Sequence, residues 1–370
     1  MLETLSQFFA QWPGGELVWT VLVFVVVFGV LVFFHELGHY WAARSVGIKV
    51  EAFAIGFGRE ICGWYDRHGT RWKLCWIPLG GYVQMHGFQA DEAQPLPAAD
   101  PQAFAHKPVW ARMWVVAAGP LANYALAIVC FFALLWAGQR VLAPEIGGVQ
   151  AGQPAAAAGL VVGDRVLAVQ AITTWEQLQE QVVASAGAPL TLLVQRQDQQ
   201  LELTVTPRVQ TVDTLLGDTV TRPMLGVSPG TATVAIPHSF TEAWVGAVDK
   251  TVDLTLLILT AVGKMLTGQM GGENVGGPIL IAQQAAQSAD QGWYPLIFFV
   301  ALMSVNLGLL NLFPIPVLDG GHLVLLGYEG VRGKPLSYKV QEWGFKLGGG
   351  LLIGLMIFAF YNDIVRLITG

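Results

Sequence analysis

The sequence has few charged residues and few cysteines. Only 12% of its 370 residues are Asp, Glu, Lys or Arg, which is about half the share in an ordinary soluble domain. Because 54% of the residues are hydrophobic, an ordinary soluble protein is excluded and a membrane protein is favoured. The three cysteines, Cys62, Cys75 and Cys130, indicate neither a disulfide framework nor a zinc ribbon. The formal net charge of −6 argues against a nucleic acid partner.

Four apolar runs approach the length of about 20 residues that a transmembrane helix needs. They are Leu17–Phe34, Val109–Ala137, Pro295–Phe313 and Trp343–Tyr361. The first lacks a basic n-region and a small-residue cleavage site, so we interpret it as a retained span rather than a signal peptide. A fifth run, Leu254–Val262, is only about half the required length. We predict that it belongs to an amphipathic connector on the membrane surface, within residues 238–292.

The distribution of basic residues predicts the orientation. No Lys or Arg precedes Leu17, seven lie between the first and second runs, and three lie between the third and fourth. Residues 138–238 are acidic on balance. By the positive-inside rule the two basic loops are cytoplasmic, and the N-terminus and the long acidic segment face outward.

The first run ends in the motif His35-Glu36-Leu37-Gly38-His39. Residues four positions apart share a helix face, so both imidazoles can bind one zinc ion. Glu36 lies beside them and can act as the base that takes a proton from water and returns it to a leaving amine. Ionisable groups at the end of an uncharged span are costly and are functional by default.

A third metal ligand is expected, and the best candidate is Asp319. It follows the third run in a segment that Pro314 and Pro316 break. In the predicted orientation the first and third runs end on the same side, which brings Asp319 to the depth of the histidines. If the fifth run also crossed the membrane, Asp319 would lie on the opposite face, so we count four spans. His322 is the alternative ligand, although a carboxylate favours Asp319.

These motifs resemble the site-2 protease family of intramembrane zinc metalloproteases. The resemblance rests on HELGH, on the run NLFPIPVLDGG that starts at Asn311, and on Gly119-Pro-Leu-Ala-Asn123 in the second run. It is closest to the bacterial RseP-like branch, which cleaves anti-sigma factors, and it covers nearly the whole chain. It implies that His35, His39 and Asp319 bind Zn²⁺ and that Glu36 is the catalytic base.

The resemblance also implies partners and a location. It implies a bacterial inner-membrane protein, embedded in the lipid bilayer, whose substrates are single-pass proteins already cut on the outer side. Anti-sigma factors and remnant signal peptides are the expected substrates. The family gives the asparagine that matches Asn311 a role facing the substrate. For Asn123 we favour a hydrogen bond between helices.

Residues 53–87 are rich in aromatic residues and glycine, and they predict short strands around turns at Arg71–Pro78 and Gly80–Met85. The resemblance implies a membrane-re-entrant β-hairpin here. A strand edge near the zinc could pair with an extended substrate. The predicted substrate-binding residues are therefore Gly80, Gly81, Tyr82 and Val83, together with Asn311.

Residues 138–237 predict a small outward-facing domain with its linker. Residues 154–166 resemble the loop and strand of a PDZ domain, and we interpret Gln210–Pro237 as tail and linker. The predicted elements are strands at Ile146–Val149, Val166–Val169, Leu190–Val194 and Glu202–Thr206 and a helix at Thr174–Ser185. Longer relatives carry two PDZ domains, whereas this segment has room for one. The hypothesis is a domain that contacts substrate or filters access.

The predicted fold is an α-helical membrane protein with four transmembrane helices, a membrane-associated β-hairpin region and an inserted α+β PDZ-like domain. Its divisions are 1–137, 138–237, 238–292 and 293–370, and residues 271–278 are either a hinge or an ordinary loop. Two other functions stay open. A metal transporter would need no Glu36 and would usually show internal repeats, which are absent. A receptor that binds substrates without cutting them would not need Glu36 either.

Overall fold

The computed structural model describes residues 2–88, 100–167, 172–213, 219–272 and 275–369. The α-helices are, in chain order, α1 (Leu2–Ala10), α2 (Gly15–Ser45), α3 (Val109–Trp136), α4 (Pro154–Ala157), α5 (Trp175–Ala184), α6 (Phe240–Leu266), α7 (Pro278–Asp290), α8 (Trp293–Asn311), α9 (Asp319–Arg332) and α10 (Tyr338–Thr369). The strands are β1 (Val50–Tyr65), β2 (Arg71–Met85), β3 (Gln139–Leu142), β4 (Ile146–Val149), β5 (Arg165–Val166), β6 (Leu190–Arg196), β7 (Gln199–Val205), β8 (Arg208–Asp213), β9 (Thr219–Met224), β10 (Val227–Pro229) and β11 (Thr233–Ile236).

The four predicted spans are confirmed as long apolar helices. Within the described ranges, α2, α3, α8 and α10 are long and apolar enough to cross a membrane. The helix of the first span, α2, continues past Phe34 to Ser45, so the HELGH motif lies inside it rather than at its end. The third span ends at Asn311, shortly before Pro314 and Pro316.

The chain divides into two compact units. Unit 1 comprises Met1–Leu134, Trp244–Thr260 and Gly272–Gly370, and unit 2 comprises Leu135–Ala243 and Ala261–Gly271. Unit 1 therefore contains all four candidate spans and the β1–β2 sheet. Unit 2 contains the short strands of the inserted domain.

The β region of unit 1 is a folded-over sheet rather than a simple hairpin. Phe53 pairs with Val83 on one side and with Trp72 on the other. The strand bends after this point, where Gly56 and Gly58 adopt φ values of +85° and +89° that favour glycine. The bend lets the end of β1 pair a second time with β2. Among the described residues, the segment from Gly81 to Met85 pairs on one side only, so it is an edge of the sheet.

The sheet is anchored to α2 through the turn between β1 and β2. Asp66 accepts hydrogen bonds from the Tyr40 hydroxyl at 2.8 Å and from the Trp72 indole at 3.1 Å. Tyr40 follows His39 directly, and its ring contacts Phe53 edge-on at 5.9 Å. Phe53 is fully buried in a core that α2, α3 and α9 share. These contacts hold the sheet against the helix that carries the HELGH motif.

Within the segment predicted to be a surface connector, α6 packs along α3. The Trp244 ring contacts Phe132 at 5.6 Å, and the Thr255 hydroxyl lies 3.4 Å from the Tyr124 hydroxyl. The two helices are therefore antiparallel over this stretch. The buried residues of α6 include Ala247 and Thr251. Because charged residues flank the apolar run, the sequence did not indicate that this helix packs against another helix.

The following helix, α7, packs against the first half of α2. Its N-terminus is held by Asp363 of α10. One carboxylate oxygen accepts the Gly277 N–H at 2.8 Å, and the other accepts the N–H groups of Ile279 at 2.9 Å and Leu280 at 3.1 Å. The orphan donors at a helix start are thus satisfied by a neighbouring helix. Residues 273–274 of the predicted hinge or loop lie outside the described residues.

Unit 2 contains the predicted helix and central strands, but its C-terminal segment differs from the prediction. The helix α5 is capped by the Thr174 hydroxyl, which accepts the Gln177 N–H, and β6 pairs with β5 and β7. The Gln210–Pro237 tail and linker is wrong, because this segment forms strands. In it β10 pairs with β4 and β11 pairs with β3, which returns the chain to the start of the unit. Of the predicted strand at Val166–Val169, residues 168 and 169 lie outside the described residues.

Candidate metal centre

His35, His39 and Asp319 come together in unit 1, and among the described residues they form the one group with metal-ligand spacing. The two histidine Nε2 atoms are 3.2 Å apart. Asp319 Oδ2 lies 3.1 Å from His35 Nε2 and 3.5 Å from His39 Nε2. Both imidazoles are nearly buried, at 9% and 7% exposure.

The arrangement fits a zinc ion. Zinc bonds of about 2.0–2.2 Å in a tetrahedral site place neighbouring ligand atoms roughly 3.3 Å apart, which matches all three separations. Asp319 Oδ2 is buried and forms no hydrogen bond of good geometry among the described residues. The residues therefore provide one carboxylate oxygen and two imidazole nitrogens around a common centre.

Helix α3 holds the two histidine rings from behind. The carbonyl of Val115 lies 2.8 Å from His39 Nδ1, which leaves Nε2 directed at the centre. Gly119 provides room for the ring, because a Cβ atom there would lie 2.5 Å from His39 Cε1 and closer still to Nε2. Asn123 is fully buried, and its Nδ2 lies 3.3 Å from His35 Nδ1. Residues of the second span, α3, thus support the two histidine side chains of the first span, α2.

Glu36 lies between the centre and the sheet edge. Its carboxyl group interacts electrostatically with His35, His39 and Asp319, and it faces the backbone N–H of Val83. A Cβ atom at Gly81 would approach the Glu36 side chain at 3.3 Å. The predicted substrate-binding segment is therefore adjacent to the predicted base. This closeness was not derivable from the spacing of the motifs.

Asp319 is the first residue of α9, after a short irregular turn that follows α8. The turn is tight, because a Cβ atom at Gly320 would meet the backbone of Leu312 and one at Gly321 would meet the backbone of Ile315. The alternative ligand His322 is one turn further along α9. Its ring lies 5.7 Å from Phe88 and 5.3 Å from Phe345, and it is not part of the metal-ligand group.

The remaining predicted substrate residues differ in their placement. The Tyr82 ring stacks on Phe57 at 6.2 Å, and Gly80 adopts a φ of +101° against the same phenylalanine. Both lie at the bend that leads into the sheet edge. Asn311 is the last residue of α8 and is half-buried. It lies outside the three-residue cluster, and its role stays a prediction.

Reasoning from the sequence missed the contribution of Gly119 and Val115, and it predicted for Asn123 a hydrogen bond between helices without its partner. A signal was available, since Gly119 and Asn123 are four residues apart and share a face of α3. Only the structure shows that this face points at the HELGH helix.

A candidate membrane helix that presents two histidines and a glutamate to a carboxylate defines the class of membrane-embedded zinc metalloproteases. A family model described as "Peptidase family M50" matches residues 23–355. The chain therefore belongs to peptidase family M50, the site-2 protease family, and it is an integral membrane zinc metalloprotease. The expectations of a zinc cofactor and of an enzyme of this class are confirmed.

Curated relatives are similar to this chain over nearly their whole length. A protein of Agrobacterium fabrum called a "putative zinc metalloprotease" is 38% identical over 370 residues, covering 96% of this chain and 98% of the relative. One of Brucella suis with the same description is 39% identical over 383 residues, covering 98% and 99%. One of Pasteurella multocida is 31% identical over 450 residues, covering 94% and 99%.

Proposed function

We propose that this metalloprotease hydrolyses peptide bonds within the membrane-spanning segments of single-pass proteins, in regulated intramembrane proteolysis. The observation that carries the proposal is the His35–His39–Asp319 cluster. Its two histidines and Glu36 lie on α2, a helix that is long and apolar enough to span a membrane. A base and a metal site on such a helix serve a substrate that is itself in the membrane. Anti-sigma factors and remnant signal peptides belong to this class of substrate.

In the proposed reaction, His35, His39 and Asp319 hold the zinc ion. When bound, zinc supplies Lewis-acid polarisation of water and of the scissile carbonyl. Glu36 takes a proton from the attacking water and later donates it to the leaving amine. Val115 and Gly119 keep the His39 ring in place during the reaction, because one contacts Nδ1 and the other leaves room for the ring.

The free edge at Gly81–Met85 is the proposed binding site for an unwound substrate segment. An extended peptide can add a strand to an exposed edge through main-chain hydrogen bonds. Val83 and Gly81 lie against Glu36, so a peptide paired there would lie near the proposed base. Asn311, at the end of α8, is proposed to donate a further hydrogen bond to the unwound backbone.

The proposed orientation places the N-terminus and unit 2 outside the bacterial inner membrane and the zinc site near the cytoplasmic face. The positive-inside rule supports it, through the basic loops before α3 and before α10. Water reaches the site from the cytoplasmic side in this arrangement. The substrates enter laterally from the lipid bilayer.

Unit 2 is proposed to be a PDZ-like domain that admits substrates already cut on the outer side. It has a groove between α5 and residues 222–227, with Leu178 and Val182 on one wall and Leu225 and Val227 on the other. PDZ domains bind peptides by strand addition, and a groove beside a helix supports such a role.

Cleavage of a tagged single-pass substrate in membranes tests the proposed reaction. The comparison is the full chain against Glu36→Gln, which removes the base and leaves the proposed ligands intact. We expect cleavage by the wild type and none by the variant, at equal expression and zinc content. Equal processing by both proteins would contradict the role of Glu36, and loss of zinc from the variant would assign it a different role.

A deletion tests the proposed filter. The N–H of Ala143 donates to the carbonyl of Ala232 at 2.8 Å, so residues 144–231 can be replaced by a short glycine linker while the β3–β11 pair is kept. We expect the shortened protein to cut a full-length substrate that the wild type rejects. Unchanged rejection, with cleavage of a pre-trimmed substrate retained, would exclude the filter.

A further inference from the structure

Two buried polar side-chain atoms lack a hydrogen-bond partner among the described residues, and both lie at the metal centre. One is Asp319 Oδ2, which faces the proposed zinc position, and the other is Asn123 Oδ1. Asn123 is fully buried in α3. A buried amide oxygen without a partner costs about 1–3 kcal/mol, so a second arrangement of this amide has to be considered.

The amide orientation conflicts with metal binding by His35. The Nε2 atom of His35 faces the cluster, 3.2 Å from His39 Nε2 and 3.1 Å from Asp319 Oδ2. A nitrogen that binds a metal carries no proton, so the single proton of the neutral ring is on Nδ1. That N–H would face the Asn123 Nδ2 group at 3.3 Å, and both groups are donors.

Exchanging the oxygen and nitrogen of the amide removes the conflict between the two donors. The two amide orientations have nearly the same shape and are assigned from their hydrogen bonds. In the exchanged orientation Oδ1 accepts the His35 Nδ1–H, and the orphaned oxygen gains its partner. The carbonyl oxygen of Val115 is likewise placed to accept a hydrogen bond from His39 Nδ1, at 2.8 Å.

We propose that Asn123 is a positioning residue for His35, with Oδ1 accepting the Nδ1–H and so fixing the tautomer and the ring plane of a zinc ligand. The inference rests on the proposed ligand role of His35. Such outer partners raise ligand basicity and hold the ring in place. Helix α3 then orients both histidines, one through a backbone carbonyl and the other through a side-chain amide.

The competing interpretation is that Asn123 only joins helices. The Ser304 hydroxyl of α8 donates to the Asn123 main-chain carbonyl at 2.8 Å. This contact does not use the amide, and any residue at position 123 keeps it. Substitutions at positions 123 and 304 therefore separate the two roles.

The test measures zinc affinity of the full-length protein in detergent by chelator competition, together with thermal unfolding of the zinc-free form. Asn123→Leu has nearly the same size and no acceptor, and we expect its zinc affinity to fall by about 10- to 100-fold. Asn123→Asp keeps an acceptor, and its zinc affinity should fall less than that of Asn123→Leu. Ser304→Ala should leave zinc affinity unchanged and lower only the unfolding temperature.

Wild-type zinc affinity in Asn123→Leu would overturn the inference, as would an equal loss in Asn123→Leu and Ser304→Ala. If Asn123→Leu does not fold, Asn123→Ala carries the same expectation and is judged the same way. His35→Ala tests the ligand role of His35 separately from the positioning role of Asn123. Zinc binding that survives His35→Ala overturns the ligand assignment, whereas zinc lost in His35→Ala and kept in Asn123→Leu overturns the positioning role alone.

Discussion

Replacing Gly119 by alanine should disable the metal centre while leaving the fold intact. The added Cβ would lie 2.5 Å from His39 Cε1 and 2.8 Å from Cδ2, and closer still to Nε2. Carbon atoms in contact lie about 3.5–4.0 Å apart, so the imidazole must move by roughly 1 Å or more. A metal site tolerates about 0.2 Å.

The displacement therefore removes His39 as a ligand. We expect the loss of zinc affinity to exceed the roughly 100-fold that changes behind a ligand can cause. The helix itself should tolerate the change, because alanine is a better helix former than glycine by about 1 kcal/mol. The assay is zinc content by mass spectrometry after chelator competition, with cleavage of a single-pass substrate measured on the same preparations.

Gly29→Ala is the matched control, because a Cβ atom at Gly29 in α2 meets nothing within 4 Å. This variant should bind zinc and cleave substrate as the wild type does. Wild-type zinc affinity in Gly119→Ala would refute the reasoning, since it would show that the His39 ring is not confined by α3.

Three further predictions concern contacts outside the metal centre. Asp363→Ala leaves three backbone donors at the start of α7 without their acceptor; unfolding in detergent should show a loss of at least about 1–3 kcal/mol, and an unchanged unfolding temperature would contradict this. Arg112 of α3 holds Glu329 of α9 through two hydrogen bonds, at 3.1 and 2.6 Å. Reversing either charge should destabilise the protein and lower its zinc content, and the double reversal should restore part of both; no recovery would count against the pair. In unit 2, burial would raise the pKa of Asp164, but hydrogen bonds from Arg196 outweigh it and lower the pKa. The carboxylate therefore stabilises unit 2 fully above its ordinary pKa of about 3.9. The difference in proteolytic resistance between wild type and Asp164→Asn should shrink as the pH falls below that value and disappear below the lowered pKa of the folded protein.

The sequence was sufficient for features that rest on length and spacing. Apolar runs of about 20 residues predict spans regardless of their neighbours, and the four-residue spacing of His35 and His39 places both on one helix face. The two prolines after α8 predict that the helix ends before Asp319. Each of these inferences uses local information only.

The sequence was insufficient where a contact joins distant segments. The antiparallel packing of α6 on α3 joins residues as distant in the sequence as Thr255 and Tyr124. The double pairing of Phe53 with Val83 and Trp72 requires a bend that no propensity specifies. The same holds for Asn123, because an amide in an apolar helix indicates a hydrogen bond without indicating its partner.

The central claim is that His35, His39 and Asp319 hold a single zinc ion beside Glu36. Zinc content of the purified full-length protein tests it most directly, with the wild type compared with Glu36→Gln, His39→Ala and Asp319→Ala. The account predicts about one zinc per chain in the wild type and in Glu36→Gln, and a large loss in the two ligand variants. Full zinc content in Asp319→Ala, with His322→Ala losing the metal instead, would contradict it.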